Sequence, residues 1–287
     1  MSIFGADLFD RDDDDDTGFE QTFSSLEQKD DVVQLIPTGC EPVDVKVKVY
    51  TWIVDQKEVQ VFCKSEVLDG YAEVGSKAWD GGFALGKFLE ACHVRSAEEV
   101  KDKSDQDSES SPNYNFSVKG KTVVELGCGI GLSGIVAALL GAEVIFTDLF
   151  EAGTTVRALL DKNLVKNLDS RQISYKVMPL PWGEALPSND VVGADYLIAS
   201  EVIYREEVVD AFLKSVVMCA GPNTLVIIFN SFFEEEASDL FLTRAQQLFH
   251  IYEIPDEMQH PSFESYGKNC GTMCIMMRLR GQVPPLL

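Results

Sequence analysis

Cationic side chains are scarce in this sequence. Lys and Arg number 24 against 47 Asp plus Glu in 287 residues, a formal net charge of -23. A nucleic-acid platform must neutralise phosphates with cations, so a field of this sign argues against DNA or RNA as a partner. Histidine is rarer still, with only His93, His250 and His260, and the seven cysteines form no C-x-x-C pair. Zinc or another metal is therefore not expected. An odd set of thiols without a framework reads as reduced, which places the protein in the cytosol or the nucleus. No run reaches 18 apolar residues, and the longest candidate, Gly134 to Phe146, is interrupted by Glu143. No membrane span is expected from it. Met1 to Glu20 has neither a basic start nor an apolar centre, so no secretory signal is expected there. What the chain does have is 45% apolar residues, enough for one sizeable core.

The acidic charge is uneven. Residues 1–31 hold eleven acids against Arg11 and Lys29, including five consecutive aspartates, Asp12 to Asp16. Such a run repels itself, and residues 1–35 are read as a disordered acidic tail. A second acidic, Ser-rich stretch at 96–115 reads as a flexible insertion. Between them, VDVKVKVYTW (43–52) and EVQVFC (58–63) alternate with a period of two, predicting a β-hairpin turning near Asp55 to Lys57. Residues 36–75 are taken as this hairpin extension, and 76–287 as the main domain. Phe83, Leu85, Phe88, Leu89 and Cys92 then mark an amphipathic helix starting just after Gly81 and Gly82.

From Lys121 onward the rhythm is strand then helix. Apolar strands are predicted at 122–126, 143–148, 173–178, 195–200 and 224–229, with helices at 132–140, 154–168, 206–219 and 234–249. Near-continuous apolar strands alternating with helices require a parallel sheet covered on both faces. The end differs: residues 250–255 and 272–279 are strands with no helix between them, so the sheet is expected to close with an antiparallel hairpin.

The strongest local signal is VVELGCGIGLSG (123–134), an apolar strand running into a glycine loop and then a helix. Glycines let backbone approach a ligand closely. The next strand ends at Asp148, an acid placed to accept hydrogen bonds from ribose hydroxyls, with Leu149 after it. Together these point to an adenosine-type cofactor. Gly129, Gly131 and Gly134 satisfy the dinucleotide spacing, but there the first glycine stands at the strand end, and here Gly127 and Cys128 precede it.

The order Glu125, Gly127, Gly129, Gly131 resembles motif I of S-adenosylmethionine (SAM) methyltransferases with a seven-stranded sheet. Adding Trp79 in KAWDGG, Trp182 in LPWGEA and Ser200-Glu201-Val202-Ile203-Tyr204, residues 65–280 resemble the family-sixteen protein lysine methyltransferases, the methyltransferase-like group acting on chaperones and elongation factors. That resemblance implies an α/β, Rossmann-like SAM-methyltransferase fold: a mostly parallel seven-stranded sheet ending in an antiparallel hairpin. It implies Trp79 closing over SAM, Trp182 against adenine, Glu125 near the methionine end, and Gly127, Cys128, Gly129, Gly131, Asp148, Leu149 and Ser200 around the cofactor. Cys128 is expected to offer its backbone. Glu201 and Tyr204 match the family's D-x-x-Y motif at the substrate mouth, with glutamate in place of aspartate.

The expected activity is SAM-dependent methylation of a lysine amine in a protein with a basic surface, by a monomer. Alternatives are a methyltransferase for a small molecule or for protein histidine, and a non-catalytic SAM-binding scaffold. The hairpin of 43–63 and the loop 256–271 are expected to frame a wide mouth for a protein or a lid for a metabolite.

Overall fold

The apolar stretches in the middle of the chain become strands buried on both faces. The computed structural model describes residues 26–37, 39–65, 71–99, 114–231, 235–259 and 272–281. In it the stretches are β4 (Thr122–Leu126), β5 (Glu143–Asp148), β6 (Tyr175–Pro179), β7 (Tyr196–Ser200) and β8 (Leu225–Ser231). With β9 (Phe249–Glu253) and β10 (Thr272–Leu279) they build a seven-stranded sheet in the order β6-β5-β4-β7-β8-β10-β9. β10 is antiparallel to β8 and β9, as the expected closing hairpin requires, and the other pairings are parallel. Strand order reverses between β4 and β7, and ligands of open α/β sheets bind outside the carboxyl ends of strands at such a point.

Helices α1 (Asp80–Glu99), α2 (Leu132–Leu139) and α3 (Val156–Asn167) pack on one face of the sheet. On the other lie α4 (Glu206–Cys219) and α5 (Glu235–Leu248). Every residue of α2 is buried, because its outer side is covered by α1. Close approach of these two helices needs small residues: a Cβ at Gly86 would stand 3.1 Å from a Val136 methyl.

Several boundaries differ from expectation, two of them for reasons visible in the backbone. Helix α1 starts at Asp80, so Gly81 and Gly82 lie inside its first turn. Strand β6 starts at Tyr175, not residue 173, because the chain leaves α3 through a left-handed Gln172 (φ 58°) and the Ile173 amide still bonds the Leu168 carbonyl at 3.1 Å. The first residues assigned to the acidic insertion, 96–99, are helical; residues 100–113 lie outside the described residues.

The N-terminal extension is larger than a hairpin. It is a three-stranded antiparallel sheet of β1 (Glu27–Leu35), β2 (Val43–Val54) and β3 (Lys57–Lys64). β1 falls within the span read as a disordered tail. Its acids face solvent while Val33 and Leu35 are buried, and Val33 pairs with Val45. Charge along the exposed first half hid a strand whose buried positions, Val33 and Leu35, lie at its end. The rest of the tail reading, residues 1–25, lies outside the described residues. Asp55 and Gln56 both have positive φ (45° and 63°), as the turn joining β2 to β3 requires of a tight hairpin.

This small sheet is bolted to the main domain. Tyr50 and Trp52 meet the Phe83 ring of α1 edge-on, with centroids 5.2 and 5.4 Å apart. The outer edge of β3 would leave amides and carbonyls unpaired in the interior, and α3 supplies their partners. Asn163 accepts from the Phe62 amide at 2.8 Å and donates to the carbonyls of Phe62 (3.1 Å) and Ile130 (3.0 Å). One turn later, Asn167 accepts from the Gln60 amide at 3.0 Å and donates to the Gln60 carbonyl at 2.8 Å. Both asparagines are almost fully buried. Asn163→Ala strands three buried backbone groups and is expected to lower stability by about 3 kcal/mol in urea denaturation. A loss under about 1 kcal/mol would show that the sheet edge is satisfied otherwise.

Candidate functional site

At the switch point, β4 runs into the glycine loop. Gly127, Gly129 and Gly131 all have positive φ, which lets the chain turn at once into α2. Close approach matters as much as φ: a Cβ on Gly129 would stand 2.7 Å from the Gly75 carbonyl oxygen, and one on Gly127 would stand 2.9 Å from the Trp182 ring. The loop lines a cavity of about 450 Å³, a volume usual for small-molecule sites.

The cavity gathers the residues singled out in the sequence. Trp79, Glu125, Gly127, Cys128, Gly129, Asp148, Leu149, Trp182, Ser200, Glu201 and Tyr204 all line it. Gly131 does not; it is the left-handed N-cap of α2, beneath Leu160 and Phe146. Cys128 has its amide bonded to the Thr147 carbonyl (2.9 Å) and its carbonyl bonded to the Gly131 amide (2.7 Å), so its backbone is spent on shaping the loop.

Carboxylates organise the floor. Asp148 accepts from the Gly129 amide at 2.7 Å through Oδ2 and from the Leu149 amide at 2.7 Å through Oδ1. Glu125 accepts from the Gly134 amide of α2 at 3.1 Å. Burial pushes the Asp148 carboxyl up from its ordinary range, against the pull of these amides. Burial pushes Glu125 further, to about 8, opposed by the Gly134 amide and assisted by the charge of Asp148. The Trp182 ring is held edge-on by Phe212, with centroids 5.0 Å apart. The Trp79 indole N–H donates to the Val74 carbonyl at 3.1 Å, and the Lys77 ammonium sits 4.6 Å above its ring.

Glu201 follows β7 in a left-handed conformation (φ 54°), a strained choice for a residue with a side chain. Its Oε1 accepts from the Gly81 amide at 2.9 Å and from the Ser231 hydroxyl at 2.8 Å, while Oε2 accepts from the Ser231 amide at 2.8 Å. Thus it caps α1 from outside the helix. A Cβ on Gly81 would stand 2.5 Å from Oε1, which explains glycine there. Tyr204 is three residues on, beside Arg205, whose guanidinium lies 5.3 Å from its ring centroid.

Sequence reasoning missed the residues that hold this rim. Asn230 is buried and clamps Ile203 through both backbone atoms (2.8 and 2.9 Å). Ser231 anchors Glu201. A polar pair ending the apolar strand β8 was the available signal.

The comparisons with known proteins give the family. The sequence profile described as "Lysine methyltransferase" matches residues 55–248. The chain is 35% identical over 186 residues to the protein N-lysine methyltransferase METTL21A of Danio rerio, covering 65% of this chain and 73% of that one. It is 30% identical over 178 residues to the protein-lysine methyltransferase METTL21E of Bos taurus, covering 60% and 59%. With the mouse METTL21A it shares 31% over 181 residues, covering 63% and 71%. The donor set fits SAM: the carboxyls of Asp148 and Glu125 offer acceptors to ribose hydroxyls and an amino group, and the Trp182 ring offers adenine a flat wall.

Glu125 gives a test of the electrostatics. A carboxyl whose pKa rises from 4.5 to about 8 on folding contributes stability that is full below 4.5 and is lost as pH rises through 8. Glu125→Gln keeps an acceptor for the Gly134 amide but cannot ionise. Denaturation midpoints of the cofactor-free variant are expected to fall less than the wild type's across that window. Asp148 leaves a residual slope in both, and parallel profiles would place the Glu125 proton elsewhere.

Proposed function

Since the chain belongs to the lysine methyltransferase family, we propose that the cavity at the carboxyl edge of its sheet is where it methylates a protein lysine, the amine entering beside Glu201 and Tyr204. SAM is the methyl donor of this family, and it supplies a sulfonium methyl that a neutral amine attacks. The observation that carries the placement is that Glu125, Asp148 and Trp182 share one cavity with Glu201 and Tyr204.

Within that reading each side chain has a task. Asp148 holds ribose hydroxyls, Trp182 stacks against adenine, and Trp79 covers the opening. Glu125 faces the methionine end, with Ser200 and Leu149 completing the walls. A lysine amine has an ordinary pKa of about 10.4 and must lose its proton before it attacks. A bare carboxylate beside it would favour the ammonium and slow that loss. Glu201 shares its charge with three donors, so it presents a fixed negative potential that draws and orients the ammonium without holding the proton strongly. Tyr204 contributes a hydroxyl at the entrance. The acidic chain, at -23, suits a substrate with a basic surface around its lysine, because opposite charge speeds encounter. A reducing compartment, cytosol or nucleus, suits the buried thiols of Cys63, Cys92, Cys128, Cys219 and Cys274.

Purified protein incubated with radiolabelled SAM and cell lysate is expected to label a discrete protein band, with the methyl on lysine by mass spectrometry. Glu201→Gln places an amide N–H where the carboxylate accepts, shifting the rim; labelling is expected to fall about 100-fold. Tyr204→Phe is expected to retain SAM binding and lose about tenfold in labelling. Label only in the small-molecule fraction, or on another residue type, would overturn the reading.

A further inference from the structure

Residues 73–81 cross the open side of the glycine loop as a strap. Val74, Gly75, Ala78 and Trp79 face the cavity from it, and the backbones of Gly75 and Gly129 touch: a Cβ on Gly75 would stand 3.4 Å from the Gly129 Cα. The strap is internally tied by the Trp79 indole on the Val74 carbonyl (3.1 Å) and by the buried Ser76 hydroxyl on the Glu73 carbonyl (2.6 Å). Its far end is pinned at the Gly81 amide by Glu201. Its near end is pinned by Glu73, which neither the sequence signals nor the family motifs singled out.

Glu73 Oε1 accepts from the Thr155 amide at 3.0 Å, and Oε2 accepts from the Thr155 hydroxyl at 2.6 Å. Lys64 at the end of β3 pairs with Oε2 at 3.0 Å. Thr155 is the N-cap of α3, yet its own side chain makes no cap bond there; the hydroxyl is turned to Glu73 instead. A carboxylate at a helix N-terminus also meets the positive end of the helix dipole. These bonds hold the carboxyl below its ordinary range against the opposing cost of burial. Thr154 and Val156, on either side of Thr155, line the same cavity as the strap. Glu73 therefore ties two cavity walls that come from distant parts of the chain.

We propose that Glu73 is a positioning residue for the cofactor, capping α3 in trans so that the 73–81 strap stays seated on the glycine loop. It touches neither reacting atoms nor the amine entrance. Its loss loosens the grip on the cofactor while leaving the main sheet intact. The proposal rests on the cavity being the SAM site, and the experiment separates the two.

The full chain, free of cofactor, is titrated with SAM and with S-adenosylhomocysteine by calorimetry, and its Tm is read beside each titration. Glu73→Ala is expected to weaken both ligands about tenfold, the scale of one lost charge-assisted cap. Thr155→Ser, which keeps amide and hydroxyl, is expected to bind as wild type; Thr155→Val, which keeps only the amide, is expected to lose about threefold. A lower Tm with unchanged ligand affinity in Glu73→Ala would make the residue merely structural and overturn the proposal. If Glu73→Ala does not fold, Thr155→Val and Glu73→Gln decide: wild-type affinity in both overturns it. Asp148→Ala is the control for the cavity. Should that variant bind SAM as wild type, the site assignment falls and the strap with it; wild-type affinity in Glu73→Ala alone removes only the strap.

Discussion

Backbone amides at the carboxyl edge of an open sheet need acceptors, and in this protein carboxylates provide them. Glu125 takes the Gly134 amide in the first turn of α2, Asp148 takes Gly129 in the loop, and Glu201 takes Gly81 in the first turn of α1. Glu73 takes Thr155 at the start of α3. Each bond fixes a helix or loop end at the cavity wall, where a water-filled or frayed terminus would leave the opening undefined. The arrangement has a cost in electrostatics. Glu125 and Asp148 stand close enough for the charge of one to raise the other, and burial pushes both upward.

The N-terminal sheet belongs to that construction. An edge strand buried against another element must have its ladder groups answered, and β3 has them answered by two asparagines one turn apart on α3. The same helix begins at Thr155, where Glu73 and Lys64 meet. α3 is consequently held by the small sheet along its length and by the strap at its start. The family profile begins at residue 55, in the turn between β2 and β3, so β3 lies inside the matched region while β1 and β2 lie before it. The strand that docks is shared with the family match; the two strands that widen the sheet precede it.

What was legible in the sequence follows from what each signal measures. Periodicity found β4, β5, β7, β8 and α4 because their burial is set by runs of apolar residues. It missed β1, since Glu27 to Val32 are exposed on both faces of the strand and carry Asp30 and Asp31 to opposite sides without harm to the pairing with β2. Glycine spacing located the loop that lines the cavity, and the Cys128 backbone in it bonds Thr147 and Gly131. The start of α1 was placed after its glycines because glycine is a poor helix former. Gly81 sits inside the first turn because a distant carboxylate needs the space. Glu73, Asn163, Asn167 and Asn230 share one property: each has a backbone partner distant in sequence, and no local pattern encodes that.

Glutamate at position 201 shows how far a motif can be read from its charge alone. Shortening the arm by one methylene, about 1.5 Å, would carry the carboxylate away from an amide now 2.9 Å distant, beyond hydrogen-bonding range unless the backbone moved. The longer side chain lets one residue reach α1 and β8 together, and a left-handed φ of 54° aims it there. The aspartate-to-glutamate departure is therefore compensated in the scaffold, by Gly81 leaving room and Ser231 donating twice. Its consequence lies in the stiffness of the rim. A carboxylate fixed by donors from two elements cannot swing without breaking three hydrogen bonds.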